Sequence, residues 1–252
     1  MKKTIKRWQI ALQTIPIVLV LVIIKFLLSE FELEIISVNP LFTSLVAGGI
    51  FLFSLMLAGT LTDYKESEKL PAEISSACEN IFQEAQCCKE IHPEFNLRRL
   101  TNTLCNIISG FKEDINSSNS RKALDGVNDL TPSLSEMEKV GVPLVYVSRL
   151  KNEQAIIRKS LLRFYYIQRI NFLPSAYILV ETVIILVLTL LLLSKIEPIL
   201  DSMLIVFFLS YLFIYILKLL RVLERPFQKE GKTMDDVSLF LLEECERKYT
   251  GE

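Results

Sequence analysis

Four stretches of the chain are almost unbroken in apolar character, and the residues between them are polar. They run from Ile10 to Leu28, from Leu41 to Leu61, from Leu173 to Ser194 and from Ile199 to Leu220. Each is about the 20 residues that a helix needs to cross a hydrocarbon core. The apolar positions are consecutive rather than alternating, which predicts membrane helices and not barrel strands. The second stretch ends differently from the others. Ser44 to Pro71, SLVAGGIFLFSLMLAGTLTDYKESEKLP, turns from apolar to charged near Gly59-Thr60, just before Asp63-Tyr64-Lys65-Glu66. A helix that passes from lipid depth into water without a break suits a pore lining or a coupling rod, with several copies around an ion path.

Lys and Arg at the ends of the spans set the orientation. Lys2, Lys3, Lys6 and Arg7 precede the first span, and Lys218, Arg221, Arg225, Lys229 and Lys232 end or follow the fourth. The loop from Glu30 to Pro40 has neither Lys nor Arg and carries Glu30, Glu32 and Glu34. The other short loop has only Lys195, beside Glu197 and Asp201. The positive-inside rule then puts both termini and the middle region in the cytosol, at the inner face of the cell membrane. The basic start MKKTIKRW is followed by too long an apolar run for a cleaved leader, so the first span is expected to remain as an anchor.

The middle region, residues 62–172, carries 15 Lys/Arg and 15 Asp/Glu, a mixed solvated surface with no nucleic-acid patch. Pro71 is expected in the first turn of a helix running to about Ile91, with Pro93 beyond its end. Leu97 to Ile115 reads as another helix, and Ser117 to Ser120 as a loop. Thr131-Pro132 reads as a cap followed by a first-turn proline. Pro143 opens a long helix to about Ile170. No strand pattern appears. In the tail, Thr233 is expected to cap a helix whose first turn holds Asp235 and Asp236, with Leu239, Leu242 and Val237 on its packing face. The division expected is a first transmembrane hairpin over 1–61, a cytosolic helical domain over 62–172, a second hairpin over 173–220 and a cytosolic tail over 221–252.

Composition narrows the class. The chain is 51% hydrophobic with mean hydropathy +0.38 and net charge -1, too apolar for a soluble domain of this size. Its five cysteines lie in segments placed on the cytosolic side and read as reduced thiols. A single histidine, no Gly-rich phosphate loop and no nucleophile elbow leave no catalytic constellation, and no cofactor is implied. Cys88 and His92 stand at i and i+4, but no third or fourth metal ligand follows at a suitable spacing.

Four local motifs, in order, resemble the bestrophin family. Asp63-Tyr64-Lys65-Glu66-Ser67-Glu68-Lys69-Leu70 is similar to the charged, Tyr-containing exit from the family's second span. Val142-Pro143-Leu144-Val145-Tyr146 resembles the start of its long cytosolic helix. Gln168-Arg169-Ile170-Asn171-Phe172-Leu173-Pro174, with Tyr177, resembles the approach to its third span, with Gln168 and Leu173 as departures. Leu223-Glu224-Arg225-Pro226-Phe227, then Asp235-Asp236-Val237-Ser238-Leu239, resembles its tail, and Pro226 and Phe227 carry that match. The resemblance covers most of the chain from the second span onward.

It implies an all-α membrane protein with four transmembrane helices in two hairpins flanking a helical cytosolic domain, assembled as a homopentamer around one ion path. The permeant ions would be anions, chloride foremost, or in some bacterial members cations. Counting back from Lys69-Leu70 against the bacterial pattern places Ala47, Phe51 and Leu55 at an apolar neck. A register slip of one gives Val46, Ile50 and Ser54. Such a ring can close a pore by dewetting, and the positive ring edge of phenylalanine suits anions. The plainer reading of the same stripe is packing between membrane helices. The acidic tail cluster of calcium-activated members is replaced here by Gln228-Lys229-Glu230-Gly231-Lys232, which offers too few oxygen ligands for calcium.

Asp63, Glu66 and Glu68 form a candidate acidic collar below the neck, although such runs are more often solvated. Glu181, about 10–12 Å into the third span by the 1.5 Å rise, is an ionisable group at membrane depth. It is a candidate for an interhelical bond, a hydrated cavity, a subunit contact or the ion path. Lys25 is expected to snorkel toward the opposite interface. Two functions fit: an ion channel of bestrophin type, or a non-conducting scaffold or sensor in the lipid bilayer whose cytosolic helices bind a partner.

Overall fold

The computed structural model describes residues 8–117, 120–169, 174–227 and 236–250. Among these are eight helices. They are α1 (Gln9–Glu30), α2 (Pro40–Ile91), α3 (Leu97–Asn116), α4 (Lys122–Lys139), α5 (Leu144–Arg169), α6 (Pro174–Leu193), α7 (Ile199–Leu223) and α8 (Phe240–Thr250). α1, α2, α6 and α7 are each long and apolar enough to cross a bilayer. The chain is a multi-pass membrane protein. The contacts divide into two compact units, and α2 belongs to both.

The first unit contains α1, residues 40–64 of α2, α6 and α7. Its core joins Phe53 and Met56 of α2 to Val180, Ile184 and Val187 of α6 and to Phe213 and Leu220 of α7. The Phe53 and Phe213 rings lie 5.2 Å apart. Gly49 faces α6, where a β-carbon would meet Val183 at 3.4 Å, an ordinary contact. α1 packs along α7, turning inward Ala11, Thr14 and Val18, while α7 buries Ser202, Val206 and Ser210. Small and hydroxylic side chains of this kind let membrane helices approach closely. Pro16 removes a backbone donor from α1 and loosens the turn before it. Lys218 of α7 donates to the Gln13 carbonyl at 2.6 Å, one residue beyond the Leu12 carbonyl from which the proline takes its in-helix donor.

One feature here was not anticipated and one expectation is corrected. A short parallel bridge is present, with Ile36–Ser37 (β1) paired to Ser194–Lys195 (β2). Two-residue strands carry no periodic signal, so the pattern could not announce them. Lys25 does not snorkel. Its side chain is fully buried, ion-paired with Glu34 at 2.7 Å, and donates to the carbonyls of Leu192 and Ser194 at the end of α6. An ammonium at this depth needs a carboxylate and carbonyl acceptors around it, and the β1–β2 bridge brings them there.

The second unit contains the rest of α2 with α3, α4, α5 and α8. From α2 it buries Leu70, Ile74, Ala77, Cys78, Ile81 and Ala85, a stripe at helical spacing. Pro71 lies inside α2 and no helix begins there. The proline removes the in-helix donor to Ser67, but burial of Leu70 and Ile74 on either side keeps the helix continuous. Pro132 likewise lies inside α4 rather than at a helix start, flanked by buried Leu130, Ser133 and Leu134. In both cases tertiary packing overrides a proline cost of about 3 kcal/mol.

α3 and α4 form a tight antiparallel hairpin. A β-carbon on Gly110 would come within 2.7 Å of the Ala123 nitrogen, and one on Gly126 within 3.0 Å of the Ile107 side chain. α4 closes with Gly141 at φ +91, its N–H on Glu138 and the N–H of Val142 on Met137, a Schellman cap.

The tail helix α8 starts at Phe240, so Asp236 lies before its first turn and not within it. Thr233 and Asp235 fall outside the described residues. Leu242 and Cys245 are its buried face. The Ser75 hydroxyl lies 3.0 Å from the Cys245 sulfur, Lys112 pairs with Glu246 at 2.6 Å, and Lys248 pairs with Glu79 at 2.5 Å. The Lys248 contact holds the Glu79 carboxyl below the usual glutamate range.

Candidate functional site

α2 presents two different faces within the first unit. Gly49, Phe53, Met56 and Thr60 are turned into the protein, and Phe53 retains 2% of its exposure. One step around the helix, Ala47, Phe51 and Leu55 form an i, i+4, i+8 row that is open on the protomer surface. Phe51 is 68% exposed and Leu55 is 63% exposed. In the alternative register, Val46 packs against the Phe53–Phe213 core while Ile50 and Ser54 are exposed. The Ser54 hydroxyl donates back to the Ile50 carbonyl at 2.9 Å, which satisfies it within the helix. Of the two registers, the row beginning at Ala47 is the one exposed at all three positions. A Phe at 68% exposure needs another apolar surface against it, from lipid, from a second copy or from a narrow lumen.

The charged candidates fall into different settings. Glu66 receives both the Nε and Nη2 of Arg163 in a bidentate pair, the shorter contact being 2.6 Å. Its charge is thus balanced by α5. Glu68 is exposed and Asp63 half-buried, so the three do not form one equivalent ring. Glu181 pairs with Arg221 of α7 at 2.5 Å. Both come from the first unit, and a carboxylate that far into a span is accommodated by the guanidinium rather than left unpaired. One turn before Glu181, Tyr177 donates to the Leu220 carbonyl at 3.5 Å.

The tail motif has a structural explanation. Phe227 is buried with its ring edge-on to Phe164 at 4.9 Å and to Phe111 at 6.2 Å, and the Pro226 carbonyl accepts the Val237 N–H at 2.9 Å. Pro226 and Val237 are thus joined within the helical unit. Residues 228–235, including the stretch that replaces the calcium cluster, lie outside the described residues.

Sequence reading missed the polar centre of the second unit. Asp114, fully buried at the end of α3, accepts the N–H groups of Lys122 and Ala123 at 3.1 and 3.0 Å and the Tyr165 hydroxyl at 2.5 Å. It caps α4 from another helix, where the N-cap residue Arg121 supplies no side-chain bond. Burial, and then the Asp114 carboxylate, push the Tyr165 hydroxyl well above its ordinary pKa. The Gln168 departure also becomes intelligible. Its amide donates to the carbonyls of Asp114 and Ile115 at 3.0 and 3.2 Å, a place where an ionised Glu has no proton to give. The only signal for this cluster was an acid placed eight residues before a helix start, too far to read as a cap. Among the described residues no three His, Cys, Asp or Glu side chains converge as metal ligands.

No family model and no curated protein matches the chain. Solved structures do. A crystal structure of a bacterial bestrophin homolog from Klebsiella pneumoniae with a point mutation superposes with TM-score 0.80, at 15% identity, over 97% of this chain and 100% of its own. Another structure of the Klebsiella pneumoniae homolog superposes with TM-score 0.80 at 14% identity, over 96% of this chain and 99% of that one. A crystal structure described as a membrane protein gives TM-score 0.81 at 14% identity, over 97% and 99%. This chain has the bestrophin fold. The bestrophin fold spans nearly the whole chain, including the first hairpin, for which no motif had spoken.

Proposed function

We propose that this protein is an ion channel of bestrophin type. Several copies, five by the family resemblance, surround one axis, and the row Ala47, Phe51 and Leu55 of α2 lines an apolar neck. Asp63, Glu66 and Glu68 lie on the same helix at the cytosolic side of the bilayer, where both termini and the helical unit also reside. The permeant ions are anions, with chloride the expected one, and the protein performs no chemistry on them. What supports this reading is the openness of the Ala47–Phe51–Leu55 row in the protomer, on a helix that turns Gly49, Phe53, Met56 and Thr60 into the protein. A ring of such rows narrows to a passage that water leaves readily, so conduction is controlled by wetting. The Glu66–Arg163 pair speaks against a free acidic collar, and so favours anions over the cations that the outer-loop glutamates would attract. Glu181, paired with Arg221, serves to hold α6 to α7 rather than to carry ions.

Purified full-length protein in a planar bilayer is expected to give unitary currents. Under a salt gradient their reversal potential is expected on the chloride side, and a reversal on the sodium side would assign the cation-selective alternative. Phe51→Ala widens and wets the neck, and is expected to raise unitary conductance or open fraction. A well-formed oligomer that never conducts would replace this reading with that of a membrane scaffold or sensor.

A further inference from the structure

α7 carries a row of aromatic side chains at a depth where tyrosine is out of place. Phe207, Tyr211 and Tyr215 follow one another at i, i+4 and i+8 along one side of the helix. The Phe207 and Tyr211 rings lie 6.3 Å apart and 12° from parallel, and those of Tyr211 and Tyr215 lie 5.8 Å apart and 26° from parallel. All three residues are half-buried. Tyrosines of membrane helices gather at the two interfaces, with the ring in lipid and the hydroxyl in water. Tyr211 is instead the middle residue of α7. Neither tyrosine hydroxyl has a hydrogen-bond partner among the described residues. Lipid tails offer no acceptor, so a hydroxyl left unmet at this depth is costly.

α6 holds suitable acceptors on a face that its own protomer leaves open. Ile178, Thr182, Ile185 and Thr189 form one exposed row. The Thr182 and Thr189 hydroxyls donate back to the Ile178 and Ile185 carbonyls, each at 2.7 Å, so each oxygen keeps lone pairs for a donor from outside the protomer. The depths agree. The bonds from Tyr177 to the Leu220 carbonyl and from Arg221 to Glu181 fix the register of α6 against α7. That register sets Thr189 level with the middle of the aromatic row. A tyrosine side chain leans toward the N-terminus of its helix, which brings the Tyr215 hydroxyl toward the same level. Two other polar side chains are placed less well. Gln13 of α1 stands beside Lys218, on the far side of Tyr215. Ser54 lies on the open side of α2, which the proposed function gives to the axis.

We propose that the aromatic row of α7 seats against the Ile178–Thr189 face of α6 in the next copy of this chain, with Tyr211 donating to Thr189 across the contact. Copies related by rotation about one axis across the bilayer keep each residue at its own depth, so the pair meets without a vertical shift. One copy gives α7 and its neighbour gives α6, the kind of contact that repeats around a closed ring. The inference rests on the proposed reading that several copies surround one axis.

The test places the photoreactive residue p-benzoylphenylalanine at position 211 of the full chain, where it keeps the direction of the tyrosine ring. Irradiation of membranes holding this protein is expected to join pairs of chains, with mass spectrometry mapping the attachment to the α6 peptide around Thr189. In the parent background, Tyr211→Phe and Thr189→Val are each expected to raise about two- to tenfold the concentration at which detergent-solubilised copies separate. The double variant is expected to go no further than either alone, and Ser54→Ala to leave that concentration unchanged. The proposal is overturned if no chains are joined, if the attachment maps to another element or only to lipid, or if the effects of the two single variants add. Native mass spectrometry tells the two levels apart. Several chains without the α6 attachment overturn this contact alone, whereas a single chain removes the shared axis and the proposed neck with it.

Discussion

At the scale of single residues, two positions carry more than their types suggest. Gly110 sits in the middle of α3, where alanine would ordinarily gain about 1 kcal/mol of helix propensity. The β-carbon, however, would meet the Ala123 backbone nitrogen at 2.7 Å, and backbone cannot turn aside. Gly110→Ala is therefore expected to destabilise by about 1–3 kcal/mol, seen as a lower denaturation midpoint of the detergent-solubilised chain. Tyr165 is the second. With its hydroxyl bound to buried Asp114, its pKa is raised above the ordinary 10.0. The folded state holds that proton more tightly than the unfolded chain does. The resulting stabilisation is complete below pH 10 and is lost as pH climbs through the folded value. Tyr165→Phe should cost about 1–2 kcal/mol near neutrality, from the lost bond to a charged acceptor. It should also flatten the fall in melting temperature between pH 9 and 11. A variant whose alkaline limb matched the parent's would assign that limb to other buried groups, of which the Cys78 thiol and the Tyr249 hydroxyl are likewise pushed upward by burial.

Among the elements, helix ends give the clearest comparison. α1 and α4 both finish in Schellman caps, α4 with Gly141 at φ +91 and α1 with Glu32 at φ 53. In α1 the N–H groups of Glu32 and Leu33 reach Ser29 and Leu28 at 3.1 and 2.9 Å. The backbone demand is the same, but only glycine meets it without strain. Gly141→Ala is expected to destabilise the helical unit by roughly 1 kcal/mol, and Glu32→Gly to act with the opposite sign. Paired melting curves of the two variants check both at once. The prolines make the converse point. Pro71 and Pro132 carry all the local marks of helix starts, yet both lie in helix interiors, because the residues around them are buried in the domain core. Pro16 sits in a span, and Lys218 reaches across from α7 to the Gln13 carbonyl in the turn before it. Lys218→Met should therefore lower thermal stability although it removes a charge from an apolar region. If it raised stability instead, the Gln13 carbonyl would not need the lysine.

For the molecule as a whole, the spans are mostly open: no more than 28% of any span's most apolar window is buried within the protomer. Surfaces this apolar need lipid or further copies around them. Under the proposed function the oligomer is a pentamer, and native mass spectrometry of the detergent-solubilised protein is expected to show five chains; a stable monomer would remove the shared axis on which the neck depends. The number and character of the membrane spans followed from hydropathy alone, because every backbone group in lipid must be satisfied within its own helix and the pattern is local; that the second continues unbroken to Ile91 did not. The resemblance read from the second span onward follows the fold observed in the bacterial homologs for the same reason, since turn, cap and charge motifs are written in neighbouring residues. What required the tertiary structure was everything set by partners distant in the chain. Lys25 found Glu34 and the end of α6, Glu181 found Arg221, Asp114 capped a helix it does not belong to, and the row containing Phe51 was left open because Phe53 and Met56 faced the core. Burial and pairing of a side chain depend on where other helices lie, and hydropathy does not record that.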